Sequence, residues 1–336
     1  MKLINPNGIP QYGILKTPAS EINVHDFLYL DCMGKKRTTL SKKLNFKTFQ
    51  YMGILAEDFI IGVALIDIQY IGKAFIYFYD KKSRKLKEYS YTSPFGLSTD
   101  ISLYPNSGAS KFSFLGNKFE MIGHDDESLN RSLKVTLRSG DDLDVTFQRN
   151  QMMKPLCVST KAGYTGWAYT QKLGGYSVKG SFKLNNKTFN LNSNQSFGVT
   201  DLSYGHMRRE TSWSWASSSG KIGNDFFGFN FSCGVNETSF TENGFWFNDD
   251  FYKVDCVNFS YNKLNLFEPW TLKSFDGKVH LKFFPEGEKK EKLNLYVLAS
   301  NFTQMLGRFQ GELHLKDRIL QIKDIYGWGE DHYSKW

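Results

Sequence analysis

The sequence predicts an all-β protein, folded as two antiparallel barrels in tandem with few short helices. Three observations point there. Aromatic residues make up 16% of the 336, with 29 Phe and 18 Tyr, and bulky rings suit a pleated, half-buried strand surface. Short runs alternating apolar and polar residues recur along the whole chain, separated by turn residues, the pattern of a sandwich or barrel. No long stripe at i, i+3, i+4, i+7 with helix caps accompanies them. Closing a sheet removes its unpaired edge, and an eight-stranded barrel has room inside for one small ligand. The fold class therefore predicts a pocket, and aromatic walls would suit it to an apolar ligand.

The first strong signal is FIIGVALIDIQYIGKAFIYFY, residues 59–79. It is long enough to span a bilayer, but Asp67 and Lys73 lie within it and Gly72 interrupts it. A charge at the bilayer midplane is costly, so two buried strands joined by a bend are expected and no membrane span. KLKEYSYTS, SLKVTLRS and DLDVTFQRN alternate as strands, the last after a Ser-Gly-Asp-Asp turn. GYSVKGSFKL and KTFNLNS flank Asn185-Asn186, a hairpin turn because Asn tolerates positive φ. Later strands run from FFGFNFSCGV through GFWFND, FYKVDCVNFSY, KVHLKFF, LNLYVLAS and GRFQGELHL to RILQIKDIYGWG, with turns at Asn248-Asp249-Asp250 and Asp276-Gly277. All 7 Trp fall at or after Trp167, and a break is read at 153–159, around Pro155. The expected division is residues 1–155 for an N-terminal barrel and 156–336 for a C-terminal barrel carrying the tryptophan-rich block. No Gly/Ser linker or tandem repeat marks the junction, so the barrels should pack directly together.

The formal net charge is +8 and spread out. Lys35-Lys36-Arg37, Lys81-Lys82 and Lys289-Lys290 each adjoin an expected turn and read as solvated loop charge. With no continuous basic stripe and no recognised module, no nucleic-acid partner is expected. Cys32, Cys157, Cys233 and Cys256 show no C-x-x-C pairing and no His at metal spacing, and read as small buried apolar groups. The opening MKLINPNGIPQYG has no apolar secretory segment, so a reducing cytoplasm is the expected setting. G-x-S-x-G, the P-loop, H-E-x-x-H and a strand-to-helix G-x-G-x-x-G are absent. No cofactor or metal is indicated, and oligomeric state is not legible.

Three constellations could carry chemistry. In DLSYGHMRRETSWSW, residues 201–215, an extended chain puts Thr211, Trp213 and Trp215 on one face and Ser212 and Ser214 on the other. Arg209 joins the indole face if the strand starts that early. A guanidinium can stack on indoles and still offer donors to a polar head. Asp201 is the expected carboxylate partner of Arg208 or Arg209. The competing reading is a buried Asp–Arg pair closing a barrel end, with both indoles in the core. In TENGFWFND, Glu242, Asn243 and Trp246 set an acid and an amide beside a further indole. A carboxyl group among aromatic rings is a candidate proton donor, whereas Asn243-Gly244 by itself is a strong turn dipeptide. In the terminal YGWGEDHYSKW, Glu330 and His332 fall on one strand face, fit for acid–base work, against a reading as a polar, fraying tail. In NFTQMLGRFQGEL, Gln304 is a candidate ligand contact, and Gly307 and Gly311 are positions for tight barrel bending.

Taken together, NGIPQYG, FIYFYD, DLSYGHMRRETSWSWASSSG with GFNFSCG, ENGFW, EPW, LKFFPEG, NFTQMLGRFQGEL and GWGEDHYSKW resemble a bacterial family of unknown function, the domain-of-unknown-function family numbered 2804, over nearly the full length. R-x-T-x-W-x-W followed by E-N is the specific part. More distantly, AYTQKLGGYSVKGSFKLNNKTFNL, TDLSYG and SWSWASSSG are similar to blocks of carotenoid hydratase-like and attachment-protein-like proteins. Those resemble two lipocalin-like (calycin-like) barrels in tandem, and some act on isoprenoid-type double bonds by proton transfer. Asp201 matches the Asp of their Asp-His-x-Trp-Gly block, but Leu202 stands at the His and Tyr204 at the Trp. The resemblance therefore implies the barrels and not the addition of water.

Three functions follow. The leading one is binding of a hydrophobic or amphipathic small molecule in a barrel pocket lined by Trp213, Trp215 and Trp246. Arg208 or Arg209 would hold a polar head, and Thr211, Asn243 and Gln304 would add contacts. The second is an enzyme of hydratase, cyclase or isomerase type acting on a lipophilic substrate, with Glu242 or Glu330 as acid, Asp201 as orienting base and His332 as relay. The third is a structural or interaction protein with filled barrels.

Overall fold

The computed structural model describes residues 1–125, 127–149, 153–235 and 240–336. Its strands form two curled antiparallel sheets, as a lipocalin-like tandem requires. Among the described residues the helical segments are one α-helix, Thr39–Asn45, and one 3-10 turn, Val24–Asp26.

Across the first sheet the order is Lys85–Pro94, Ile71–Asp80, Phe59–Asp67, Lys47–Leu55, Phe197–His206, Gly166–Leu184, Asp142–Gln148, Arg131–Thr136, Asn117–Gly123, Ala109–Phe114 and Thr99–Asp100. Across the second it is Asp250–Lys253, Gly244–Phe247, Asp225–Cys233, Glu210–Ile222, Ile319–Lys335, Ala299–His314, Val279–Asn294, Trp270–Ser274 and Val257–Ser260. The chain changes sheet between His206 and Glu210. Residues 156–206, which the sequence groups with the second barrel, pair within the first sheet. Gly166–Leu184 lies there between Phe197–His206 and Asp142–Gln148. Pro155 marks a connection inside one sheet. The change at 207–209 has no compositional signature because long-range pairing decides it.

Local turn chemistry reads well. Asn185, Asn186 and Asn248 hold positive φ, as does Gly277. Asn243-Gly244 is not a turn: Asn243 is buried ahead of the strand Gly244–Phe247, and the chain reverses at 248–249 instead. Of the cysteines, Cys157 is buried, but Cys32 and Cys256 are exposed and Cys233 is half-buried. The all-buried expectation therefore holds only for Cys157: Cys32 and Cys256 lie in loops, and Cys233 ends the strand Asp225–Cys233.

Asp67 and Lys73 apart, the strands at 59–79 are apolar because both their faces are covered. Ile61, Val63, Ile76 and Phe78 point into the first sheet's own core. Ile60, Ala64, Phe75, Tyr77 and Tyr79 belong to a separate layer with Trp215, Leu306 and Trp328 of the second sheet. A strand buried on two faces loses its alternation. The second sheet's core is a stack of rings that includes Phe227, Phe229, Phe283 and Phe309. No helix among the described residues is long and apolar enough to cross a membrane.

The two sheets meet closely because glycines let them. A Cβ on Gly53 would come within 2.7 Å of the Trp328 ring. Gly174 faces Gly228 across the junction, and a Cβ on Gly228 would lie 2.8 Å from the Gly174 backbone. A bulge at Gly174–Tyr176 aims the Gly175 N–H at Ser219 Oγ of the second sheet, 2.8 Å away.

Candidate functional site

Strand pairing in the second sheet builds one wall. Register places Trp215, Glu330 and Gln304 in one lateral row and Trp213, His332 and Phe302 in the next. Such cross-strand neighbours share a face. Thr211, Trp213 and Trp215 lie together as the period of two predicts, while Ser214 faces away and meets the Tyr261 hydroxyl at 2.9 Å.

That face does not look into the second barrel, whose interior the phenylalanine stack occupies. It looks at the first sheet, where Lys172, Asp201, Tyr51, Ala64 and Phe75 form a facing row. Between the two faces lies a cavity of about 200 Å³ with mainly apolar walls, Phe49, Ile66, Phe75, Trp213, Trp215 and Phe302 among them. The pocket expected inside one barrel is thus an inter-sheet cavity, since each sheet's concave side is filled by its own side chains.

The polar groups on its walls form two systems. In the first, Tyr77 OH donates to Gln304 Oε1 at 2.5 Å, Gln304 Nε2 donates to Glu330 Oε2 at 2.9 Å, and Trp213 Nε1 donates to Glu330 Oε1 at 2.7 Å. The phenol of Tyr77, its proton already committed, accepts from Trp328 Nε1 at 2.7 Å and from Tyr51 OH at 2.9 Å. Burial raises both phenols well above their ordinary pKa, which keeps the protons in place. Every donor in this chain therefore runs toward the Glu330 carboxylate. His332 packs against Trp213 at 4.2 Å between ring centroids with the rings tilted by 57°, and its Nε2 lies 3.0 Å from Ser300 Oγ and 2.9 Å from Ser334 Oγ. Its Nδ1 is 3.7 Å from Glu330 Oε1, beyond hydrogen-bond length.

The second system is a buried triad. Lys172 Nζ lies 2.5 Å from Asp201 Oδ2 and 3.0 Å from Glu242 Oε2. Burial acts to lower the Lys172 pKa, but the two carboxylates overcome it and hold the ammonium above its ordinary value. Burial raises Asp201 above the usual carboxylate range against the pull of Lys172, and the Glu242 charge adds to the rise.

Asp201, Arg208, Thr211, Trp213, Trp215, Gln304, Glu330 and His332 of the predicted set line the cavity. Four expectations change. Asp201 is held by Lys172, its direct cross-strand neighbour, and not by an arginine. Arg208 reaches the cavity but spends donors on the Gly234 and Val235 carbonyls, while Arg209 binds the carbonyls of Trp336 and Val297. Trp246 leaves the pocket altogether: it packs in the first sheet's core and donates to the Lys154 carbonyl at 2.7 Å. Asn243 is structural, accepting from Ser232 N and donating to the Asp255 carbonyl, and Glu242 sits behind the wall against Lys172. Lys172, Tyr51 and Tyr77 went unread. Nothing local marks Lys172, since AYTQKLGGYS reads as a mixed polar strand and is buried only by the fold.

Two antiparallel sheets enclosing an apolar, carboxylate-bearing cavity define a tandem-barrel protein of lipocalin-like build. The chain belongs to the family of domains of unknown function DUF2804, which matches residues 1–336. No curated protein matches it. Solved structures share the fold. CghA is 11% identical with a TM-score of 0.56, covering 99% of this chain and 96% of that one. CghA with Sch210972 is 10% identical with a TM-score of 0.54, covering 99% and 97%. Kievitone hydratase from Nectria haematococca is 12% identical with a TM-score of 0.53, covering 97% and 98%.

Proposed function

We propose that this protein binds a hydrophobic or amphipathic small molecule in the cavity between its two sheets. The cavity itself is the observation that carries the reading. Water that enters through the open end meets mainly apolar walls, an unfavourable contact. An apolar guest, or the apolar end of a longer one, removes that contact. Polar anchors stand along one wall: the Glu330 carboxylate, the His332 ring and Thr211, whose Oγ1 has no hydrogen-bond partner among the described residues. These would fix a hydroxyl or similar head.

The test uses a bromoalkanol, whose bromine quenches indoles on contact. Titration should quench saturably, and Trp213→Phe should remove much of the signal. Unsaturable quenching, or quenching unchanged in Trp213→Phe and Trp215→Phe, would remove the site from this cavity. Extraction of the protein from its native cell, followed by mass spectrometry, would identify the natural guest.

A second reading, an acid–base enzyme on a lipophilic substrate, draws on Glu330 and His332 standing side by side on the wall. Catalytic hydrogen bonds are often long before substrate arrives. A protein of similar fold, kievitone hydratase, is a hydratase by name. Under this reading the extracted guest, returned to the protein, changes mass by one water or isomerises, and Glu330→Gln stops it. An unaltered guest leaves binding alone.

A further inference from the structure

One end of the cavity opens among loops that carry an unusual surface. Lys47, Ile68, Met207, Arg208, Leu293 and Leu298 line the cavity at this end. The hairpin tip that joins Val279–Asn294 to Ala299–His314 exposes Leu295, Tyr296 and Val297, with Tyr296 93% exposed. Arg209 ties that tip to the start of the Trp-x-Trp strand through the Val297 carbonyl. Across the mouth, the helix Thr39–Asn45 buries none of its residues and leaves Leu40 and Leu44 exposed four positions apart, on one helical face. It is moored beside the cavity, since Lys47 Nζ donates to the Leu44 carbonyl and the Lys42 carbonyl meets His206 Nε2. Phe95, 74% exposed, completes the rim and is held by its N–H on the Tyr70 carbonyl, with Tyr70 in turn under the Lys47 ammonium.

The charge around these apolar tips has one dominant sign. From Asp26 to Ala56 the chain carries six lysines and arginines against two acids, Asp26 and Asp31, and Asp67 stands beside Lys47. Arg37 lies over the Tyr29 ring, which packs on His206, so this segment borders the same opening. Arg209 adds a further cation near Lys47 and Tyr70. Exposed apolar residues on three separate elements, interspersed with lysines and arginines, are not a plain solvated surface, and their spread over separate tips offers a protein partner no single groove or helix face. They match a lipid interface, where apolar tips enter the headgroup region and cations meet anionic phosphates.

We propose that this rim docks the protein on anionic bilayers, with the cavity mouth facing the lipid, so that an apolar guest passes between membrane and cavity without crossing water. The transfer rests on the cavity being the ligand site. The docking does not, and the two can fail separately.

The experiment is co-sedimentation with phosphatidylcholine vesicles and with phosphatidylcholine–phosphatidylglycerol vesicles. The protein should sediment with the anionic vesicles, and added salt should release it. Each exposed cation removed should weaken binding by about fivefold, so Lys35→Glu, Lys36→Glu and Lys43→Glu combined should abolish it. Tyr296→Asp with Leu40→Asp should do the same through the apolar term. Thermal melts and bromoalkanol quenching without vesicles, unchanged in both variants, would show an intact fold and cavity. Equal sedimentation with neutral vesicles, wild-type binding by either variant, or absence of binding would each overturn the docking. So would concentration-dependent dimerisation through the same residues in place of vesicle binding. Intact vesicle binding with no bromoalkanol quenching would overturn the cavity reading and leave the docking standing.

Discussion

Lys172 stands between Asp201 and Glu242 in a place where no charge would be stable alone. Removing one member of a buried ionic group strands the others, at a cost of about 3–5 kcal/mol. Lys172→Met should therefore lower stability by that amount in urea unfolding, and a loss under about 1 kcal/mol would show the triad to be hydrated. His206 makes a pH prediction. Burial first, and the Lys42 and Lys47 charges after it, lower its pKa from 6.5 to about 4. Its Nε2 meets the Lys42 carbonyl and its Nδ1 has no partner among the described residues, so a second ring proton has nowhere to go. A base with a depressed folded pKa binds its proton more readily when unfolded, so its stabilising contribution is lost as pH falls from 6.5 toward 4. The loss should approach roughly 3 kcal/mol. His206→Gln should flatten that segment of the stability curve, and parallel curves for the two proteins would contradict the assignment.

At the scale of single elements, period and turn chemistry were legible and pairing was not. The W-x-W face, the Glu330–His332 face and the hairpin at Asn185-Asn186 follow from a repeat of two and from positive φ, both local properties. Lys172 could not be matched to Asp201 because that pair exists only through the register of Gly166–Leu184 on Phe197–His206. Trp246 was misplaced for the same reason. Its strand belongs to the second sheet, yet its ring enters the first sheet's core. Gly53 is a related case: an unremarkable glycine in sequence, it is the place where Trp328 rests on the first sheet. Gly53→Val should overpack that contact and cost about 1–3 kcal/mol, read as a lowered thermal midpoint. A variant as stable as the wild type would mean that the sheets separate there without penalty.

For the whole molecule, the fold class and the tandem of curled sheets were readable from composition and alternation, but the site was placed one layer away. The sequence places the hollow inside one barrel. Instead the sheets fill their own interiors and leave space between them, where Trp213, Trp215 and Glu330 face Tyr51, Phe75 and Asp201. Neither sheet alone forms that cavity, so a guest should stabilise the pair as one unit. The most direct test is crystallographic. Crystals grown with a bromoalkanol should show an anomalous bromine peak between Phe75 and Trp213, with the hydroxyl directed to the Glu330 wall. Bromine found only inside one sheet's own core or on the outer surface, with the inter-sheet space holding water alone, would contradict it.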